Sequence, residues 1–141
     1  METMKKASLK AIAEKMKSLD LCMLVTQDGR GSLHSRPMSN NGEVEYDGDS
    51  WFFTYEDTHK VKQIEADPKV SLIFQTPKAM FIECYGHASI IRQRSMMEEK
   101  WMDELNMWFP QGLDTPGICM LKVSASRVRF WHNEESGEYK A

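Results

Sequence analysis

The amino-acid sequence predicts a mainly β protein of the α+β class, one β-barrel domain with short flanking helices. Three observations carry that expectation. Apolar or alternating runs of strand length recur at close spacing with turn residues between them. Only three stretches show helical periodicity. No internal repeat, low-complexity run or linker divides the 141 residues, a length that one domain can fill with a core of its own.

In chain order, Ala7–Lys17 reads as a first helix, with Leu9, Ile12, Ala13 and Met16 on one face. Such a face needs a barrel end or a partner subunit to cover. Leu21–Gln27 is a buried strand, and Asp28-Gly29-Arg30-Gly31 a hairpin turn. Ser32–Asn40 is a polar strand on which His34, Arg36 and Met38 share one face. Pro37 lacks an N–H, so this strand lies at an edge or is interrupted there. Its Arg suits either a ligand site or an ordinary solvated edge. Asn41–Ser50 is an acidic loop with a possible short strand at Glu43–Tyr46.

The central unit runs from Trp51 to Phe74. Trp51–Tyr55 is aromatic and β-favouring, and Val70–Phe74 is an apolar run suited to a buried strand. Between them Thr58–Ala66 places Val61 and Ile64 at helical spacing, and Asp67-Pro68 closes the helix. Thr54 ends the first strand, and Thr58, His59 and Lys60 crowd the first helical turn. The free amides of that turn favour an anion, whereas a Lys there opposes the helix dipole and asks for a negative partner. A phosphate would supply one.

Thr76-Pro77-Lys78 turns into a long strand, Met80–Arg92, with Ile82, Cys84, Gly86, Ala88 and Ile90 inward and Gly86 at a bend. Gln93–Trp108 reads as a helix whose Met97, Trp101, Leu105 and Trp108 form a stripe, either core or the wall of a pocket. Phe109-Pro110-Gln111-Gly112 ends it. Gly117–Ser124 and Arg127–Trp131 are the last two strands, joined by Ala125-Ser126, and His132–Ala141 is a polar, frayed tail.

A net charge of −3 and a pI near 5.8 argue against non-specific nucleic-acid binding as the main role. The polar, amphipathic first residues lack the apolar core of a signal peptide, and no run approaches membrane-spanning length. A cytoplasmic protein is expected. Cys22, Cys84 and Cys119 are odd in number and set in apolar runs, as buried free thiols of a reducing compartment are. The four histidines form no metal motif, and Cys84 and His87 point to opposite faces of a strand. No nucleophile elbow, Walker loop or dinucleotide turn is present in the sequence.

Four pieces in fixed order then resemble one family. They are Ser35-Arg36-Pro37-Met38; Phe52-Phe53-Thr54; Thr58-His59-Lys60 with Asp67-Pro68 and Val70–Phe74; and Val128-Arg129-Phe130-Trp131. Across Leu21–Trp131 the pattern is similar to the FMN-binding split-barrel superfamily, the fold of pyridoxamine 5′-phosphate oxidase, and within it to the general stress protein 26-like branch. The resemblance implies a split β-barrel of about six to seven antiparallel strands in Greek-key order. It also implies bound FMN and a homodimer with the flavin at the subunit interface. Arg36, with a forked guanidinium, and Lys60 would then hold the phosphate, with Thr58 adding a hydroxyl and Thr54 reaching phosphate or ribityl. Pro37, Met38 and the Phe53–Thr54 strand end would run along the flavin, and Trp131 would reach the ring from the other subunit. Trp108 would belong to a flavin- or substrate-facing wall. His59 stands where the family usually has Arg, a weaker and pH-sensitive phosphate partner.

Departures from the pattern narrow the function. The oxidases follow their late Trp with an Arg-x-His stretch that grips the substrate phosphate; here Trp131 is followed by HNEESGEYKA, without Arg. Ile82 occupies a position where the family often has Gln, and Ser39-Asn40-Asn41 stand where the oxidases carry a Lys. The cofactor half of the pattern is present and the vitamin-substrate half is missing. The expectation is an FMN-dependent oxidoreductase of general-stress type acting on an unassigned small molecule, with NAD(P)H or that substrate as its partner. The alternatives are a non-catalytic flavin-binding or sensing protein, an enzyme closer to the oxidase, and a barrel for haem or a deazaflavin. No catalytic acid or base can be assigned.

Overall fold

The computed structural model describes residues 4–17, 19–39 and 45–141. Its strands are β1 (Lys5–Lys6), β2 (Leu21–Gln27), β3 (Leu33–Ser39), β4 (Asp49–Tyr55), β5 (Lys69–Gln75), β6 (Met80–Ile91), β7 (Ile118–His132) and β8 (Glu135–Lys140). The helices are α1 (Leu9–Met16), α2 (His59–Ala66) and α3 (Arg94–Lys100), followed by two 3₁₀ turns. The expected α+β, mainly β class is what the chain adopts. No helix among the described residues is long and apolar enough to cross a membrane. Part of the expected short strand at Glu43–Tyr46 lies outside the described residues; Glu45 and Tyr46 are not in a strand.

All eight strands join one sheet in the order β1-β8-β7-β6-β5-β2-β3, with β4 added to β7. Inward positions alternate along each strand, as Cys22, Leu24 and Thr26 on β2 and Val70, Leu72 and Phe74 on β5 show. α1 lays Ile12 and Met16 into the same core, and its first turn is capped by the Ser8 hydroxyl, which accepts from the Ala11 amide at 3.1 Å. β3 is an edge strand, consistent with Pro37 in it. Among the described residues β3 and β4 do not pair with each other, so the curled sheet stays open between them.

Three expectations are corrected. The last two strands are a single strand of 15 residues. Ala125-Ser126 is not a link but a bulge, because Tyr85 pairs with Arg127 and Gly86 with Ala125, leaving Ser126 as the extra residue. A Cβ on Gly86 would collide with the Ser124 carbonyl oxygen and lie 2.9 Å from Ala125 Cα. The chain therefore needs glycine where two backbones cross this closely.

The tail is not frayed. Asn133, at φ 58°, opens a two-residue turn after which β8 pairs with the second half of β7 and with β1. Gly137 faces the Phe130 ring, which leaves no room for a Cβ.

The Met-rich helix ends at Lys100, and Trp101 and Met102 are extended. The stripe is broken there because Trp101 folds onto the outer face of β4, its ring centroid 5.2 Å from that of Phe53 and 6.2 Å from that of Phe109. Met97 is buried, Trp101 and Leu105 are half-buried, and Trp108 is 65% exposed.

Gly86→Ala should lower stability by about 3 kcal/mol, measured by urea unfolding, since overpacking against backbone cannot relax by a rotamer change. The three thiols are free and buried. Burial above all pushes Cys22 and Cys84 up from an ordinary 9.0 to about 12, and Cys119 to about 11. A thiol that binds its proton more tightly when folded stabilises the fold below pH 9, and that contribution disappears as pH rises from 9 toward 12. The folded protein should leave Ellman's reagent unreacted at pH 8, with all three thiols titrating after denaturation.

Candidate functional site

The open seam between β3 and β4 is bridged by α2. From one side Arg36 Nη2 of β3 donates to Gln63 Oε1 at 2.8 Å, and the Thr26 hydroxyl of β2 donates to the same oxygen at 2.6 Å. From the other side Lys60 Nζ donates to Thr54 Oγ1 of β4 at 2.9 Å. Val61 and Ile64 fill the core beneath. The sequence folds this way because the apolar residues of α2 sit on one face while Lys60 and Gln63, three apart, emerge together on another.

Arg36 and Lys60 thereby converge. Burial pulls the Arg36 guanidinium below its ordinary value. Burial, and after it the Arg36 charge, lowers the Lys60 ammonium. Among the described residues no carboxylate lies within ion-pair distance of either cation. Glu56, just past the end of β4, is held by Arg92, whose Nε donates to it at 2.9 Å. The other acceptors around Arg36 are neutral: Thr26 Oγ1 at 2.7 Å, the Leu24 carbonyl at 3.1 Å and the His34 carbonyl at 3.2 Å.

Thr58 is the N-cap of α2, yet its hydroxyl donates to the Tyr55 carbonyl at 2.8 Å and caps nothing. The first-turn amides of His59, Lys60 and Val61 thus have no intrahelical or side-chain acceptor among the described residues. Two cations, open amides and a buried threonine hydroxyl make a donor set that suits a dianionic phosphate monoester.

The remaining residues singled out in the sequence are dispersed. His59 is exposed. Met38 packs partly against the core, and Pro37 lies exposed on the opposite face of β3. Thr54 faces inward and is 5% exposed, so Phe53 points to the other side, into the cluster with Trp101 and Phe109. Tyr55 Oη donates to the Trp108 carbonyl at 3.1 Å, but the Trp108 ring itself stands in solvent.

Trp131 is on the outer face of β7, paired across strands with Phe81; the two are 36% and 41% exposed. Met23 and Ile73, also cross-strand partners, extend this exposed apolar face over β2 and β5. Between these patches lie Glu83, Arg127 and Arg129. Arg127 approaches Glu83 at 3.8 Å and Arg129 approaches Glu138 at 3.2 Å. Even so, Glu83 Oε1, Arg127 Nε and Arg129 Nε make no hydrogen bond, because the approaches are long or misdirected.

Sequence reasoning passed over Gln63 and Thr26. Their signals existed: Gln63 follows Lys60 by one helical turn, and Thr26 is the polar inward position of an otherwise apolar strand.

A family model described as pyridoxamine 5′-phosphate oxidase like matches residues 7–141. General stress protein 26 of Bacillus subtilis is 27% identical over 112 residues, which is 75% of this chain and 76% of that protein. A Clostridium acetobutylicum protein related to general stress protein 26 superposes with a TM-score of 0.80 at 22% identity, over 94% of this chain and 93% of its own. The general stress FMN/FAD binding protein of Xanthomonas citri superposes with a TM-score of 0.75 at 24% identity, over 90% of this chain and 89% of its own. At such identities the solved structures establish the fold alone, the split barrel.

Proposed function

Since this chain belongs to the pyridoxamine 5′-phosphate oxidase like family, we propose that the α2 cleft holds the phosphate of FMN and that the protein is a general-stress-type flavoprotein. The observation that carries this reading is the convergence of Arg36 and Lys60, each partly withdrawn from water, with no carboxylate between them. A dianion relieves that repulsion. Arg36 and Lys60 would hold the phosphate, the amides of α2 would donate to it, and Thr54 or Thr58 would reach its ester side. Met38, at the same end of β3, would lie against the flavin. The flavin supplies hydride and electron chemistry when bound.

The fine activity we infer is oxidoreduction of a small molecule, with NAD(P)H or that substrate providing electrons. A binding or sensing role is favoured by one observation. After Trp131 the chain turns directly into β8, which carries no Arg and whose one Lys, Lys140, lies 3.4 Å from Glu138. NAD(P)H-driven reduction of the bound flavin separates the two roles. Three buried, unpaired thiols support a reducing, cytoplasmic setting.

The exposed apolar face formed by Met23, Ile73, Phe81 and Trp131 supports a homodimer in which a second copy covers it. Trp131 points away from its own Arg36, so it would reach a flavin held by the other subunit.

Arg36→Ala and Lys60→Ala should each weaken FMN by about 1.5–3 kcal/mol, or roughly 10- to 100-fold, in a fluorescence titration. Unchanged affinity in both variants would put the phosphate elsewhere. Ile73→Asp should shift the protein to monomer in sedimentation velocity and weaken FMN with it, because a charge in an apolar interface is desolvated without a partner.

A further inference from the structure

We propose that Gln63 is a positioning residue for anion binding: its neutral amide oxygen braces the Arg36 guanidinium at the cleft while leaving that cation's charge uncancelled. The inference rests on the reading that Arg36 and Lys60 hold a phosphate.

Gln63 Oε1 accepts from Arg36 Nη2 at 2.8 Å and from the Thr26 hydroxyl at 2.6 Å, while Thr26 Oγ1 accepts from Arg36 Nη1 at 2.7 Å. The three side chains form a closed triangle. Arginine can only donate, so the oxygen of Gln63, not its NH₂, must face Arg36. The Thr26 hydroxyl is then committed as well, accepting from Arg36 and donating to Gln63. Thr26 is 1% exposed, so the triangle is anchored in the barrel wall and not in a mobile surface chain.

A glutamate at 63 would meet the same geometry with two acceptor oxygens, and a charge-assisted bond is the stronger one. On grounds of fastening α2 to the barrel, glutamate would serve at least as well. It would also cancel one of the two cations that face an incoming anion. Glutamine separates the two demands: it fixes the guanidinium in place and adds no charge. The other acceptors of Arg36, two backbone carbonyls and a hydroxyl, obey the same rule.

The test is FMN titration of the full chain carrying Gln63→Glu, Gln63→Met or Arg36→Ala, alongside thermal unfolding. Gln63→Glu should keep the wild-type melting temperature or raise it, yet lose FMN affinity about 10- to 100-fold. Gln63→Met, which loosens the cation but leaves its charge, should lose less, about 3- to 10-fold. A residue that only fastens α2 gives the reverse order, with glutamate close to wild type and methionine worse.

Gln63→Glu binding FMN as tightly as wild type while Arg36→Ala is impaired would overturn the positioning role and leave the phosphate assignment standing. Wild type failing to bind FMN would overturn both. If Gln63→Glu does not fold, Gln63→Met decides, because it removes the brace on Arg36 and keeps the charge; affinity equal to wild type there also overturns the proposal.

Discussion

Arg36 and Lys60 approach each other across the seam between β3 and β4, and both are partly withdrawn from water. That is unfavourable for each cation alone and worse for the pair. The surrounding structure keeps them there by supplying dipoles in place of counter-ions. Carbonyls of β2 and β3, the Thr26 and Thr54 hydroxyls and the Gln63 amide take the N–H groups. None of these cancels the charge, so both cations stay without a carboxylate partner among the described residues. The burial of Val61 and Ile64 against the core holds α2 in position against that repulsion.

β7 sets the geometry in which this is possible. Its first half runs between β4 and β6, and its second half between β6 and β8. One strand thus serves two ribbons, and the extra residue at Ser126, opposite Gly86, redirects it where the duty changes. β4 hangs on β7 alone among the described strands, so its inner edge position, Thr54, reaches Lys60 only because β7 places it there.

Much of this was legible in the sequence, for local reasons. Alternation exposed the inward face of β6, buried as expected at Ile82 and Cys84, and the apolar runs marked β2 and β5 as strands, with Leu24 and Leu72 in the core. Asp67-Pro68 closed α2 where predicted, and the crowding of Thr58, His59 and Lys60 marked its open end. What stayed hidden was decided by distant partners. β8 is polar because it lies near the rim of the sheet, so only pairing with β7 makes Glu135–Lys140 a strand. The periodicity of Met97, Trp101 and Leu105 was real, but the attraction of Trp101 for Phe53 and Phe109 outweighed helix continuation. The brace at Gln63 depends on a strand that lies some forty residues earlier in the chain. Its residue type alone reads as an ordinary solvated helix position.

The dependence of β4 on β7 also bears on how a nascent chain assembles. When the ribosome has released β2 to β6, neighbouring antiparallel pairs can already form between β2, β3, β5 and β6. β4 must wait, with the fully buried Phe52 still uncovered, until Ile118–Ser124 emerges more than sixty residues later. During vectorial synthesis the aromatic segment WFFTY is therefore an unpaired, sticky stretch, the kind that holdase chaperones shield. The bond from Lys60 to Thr54 is accordingly among the last contacts of the cationic site to form.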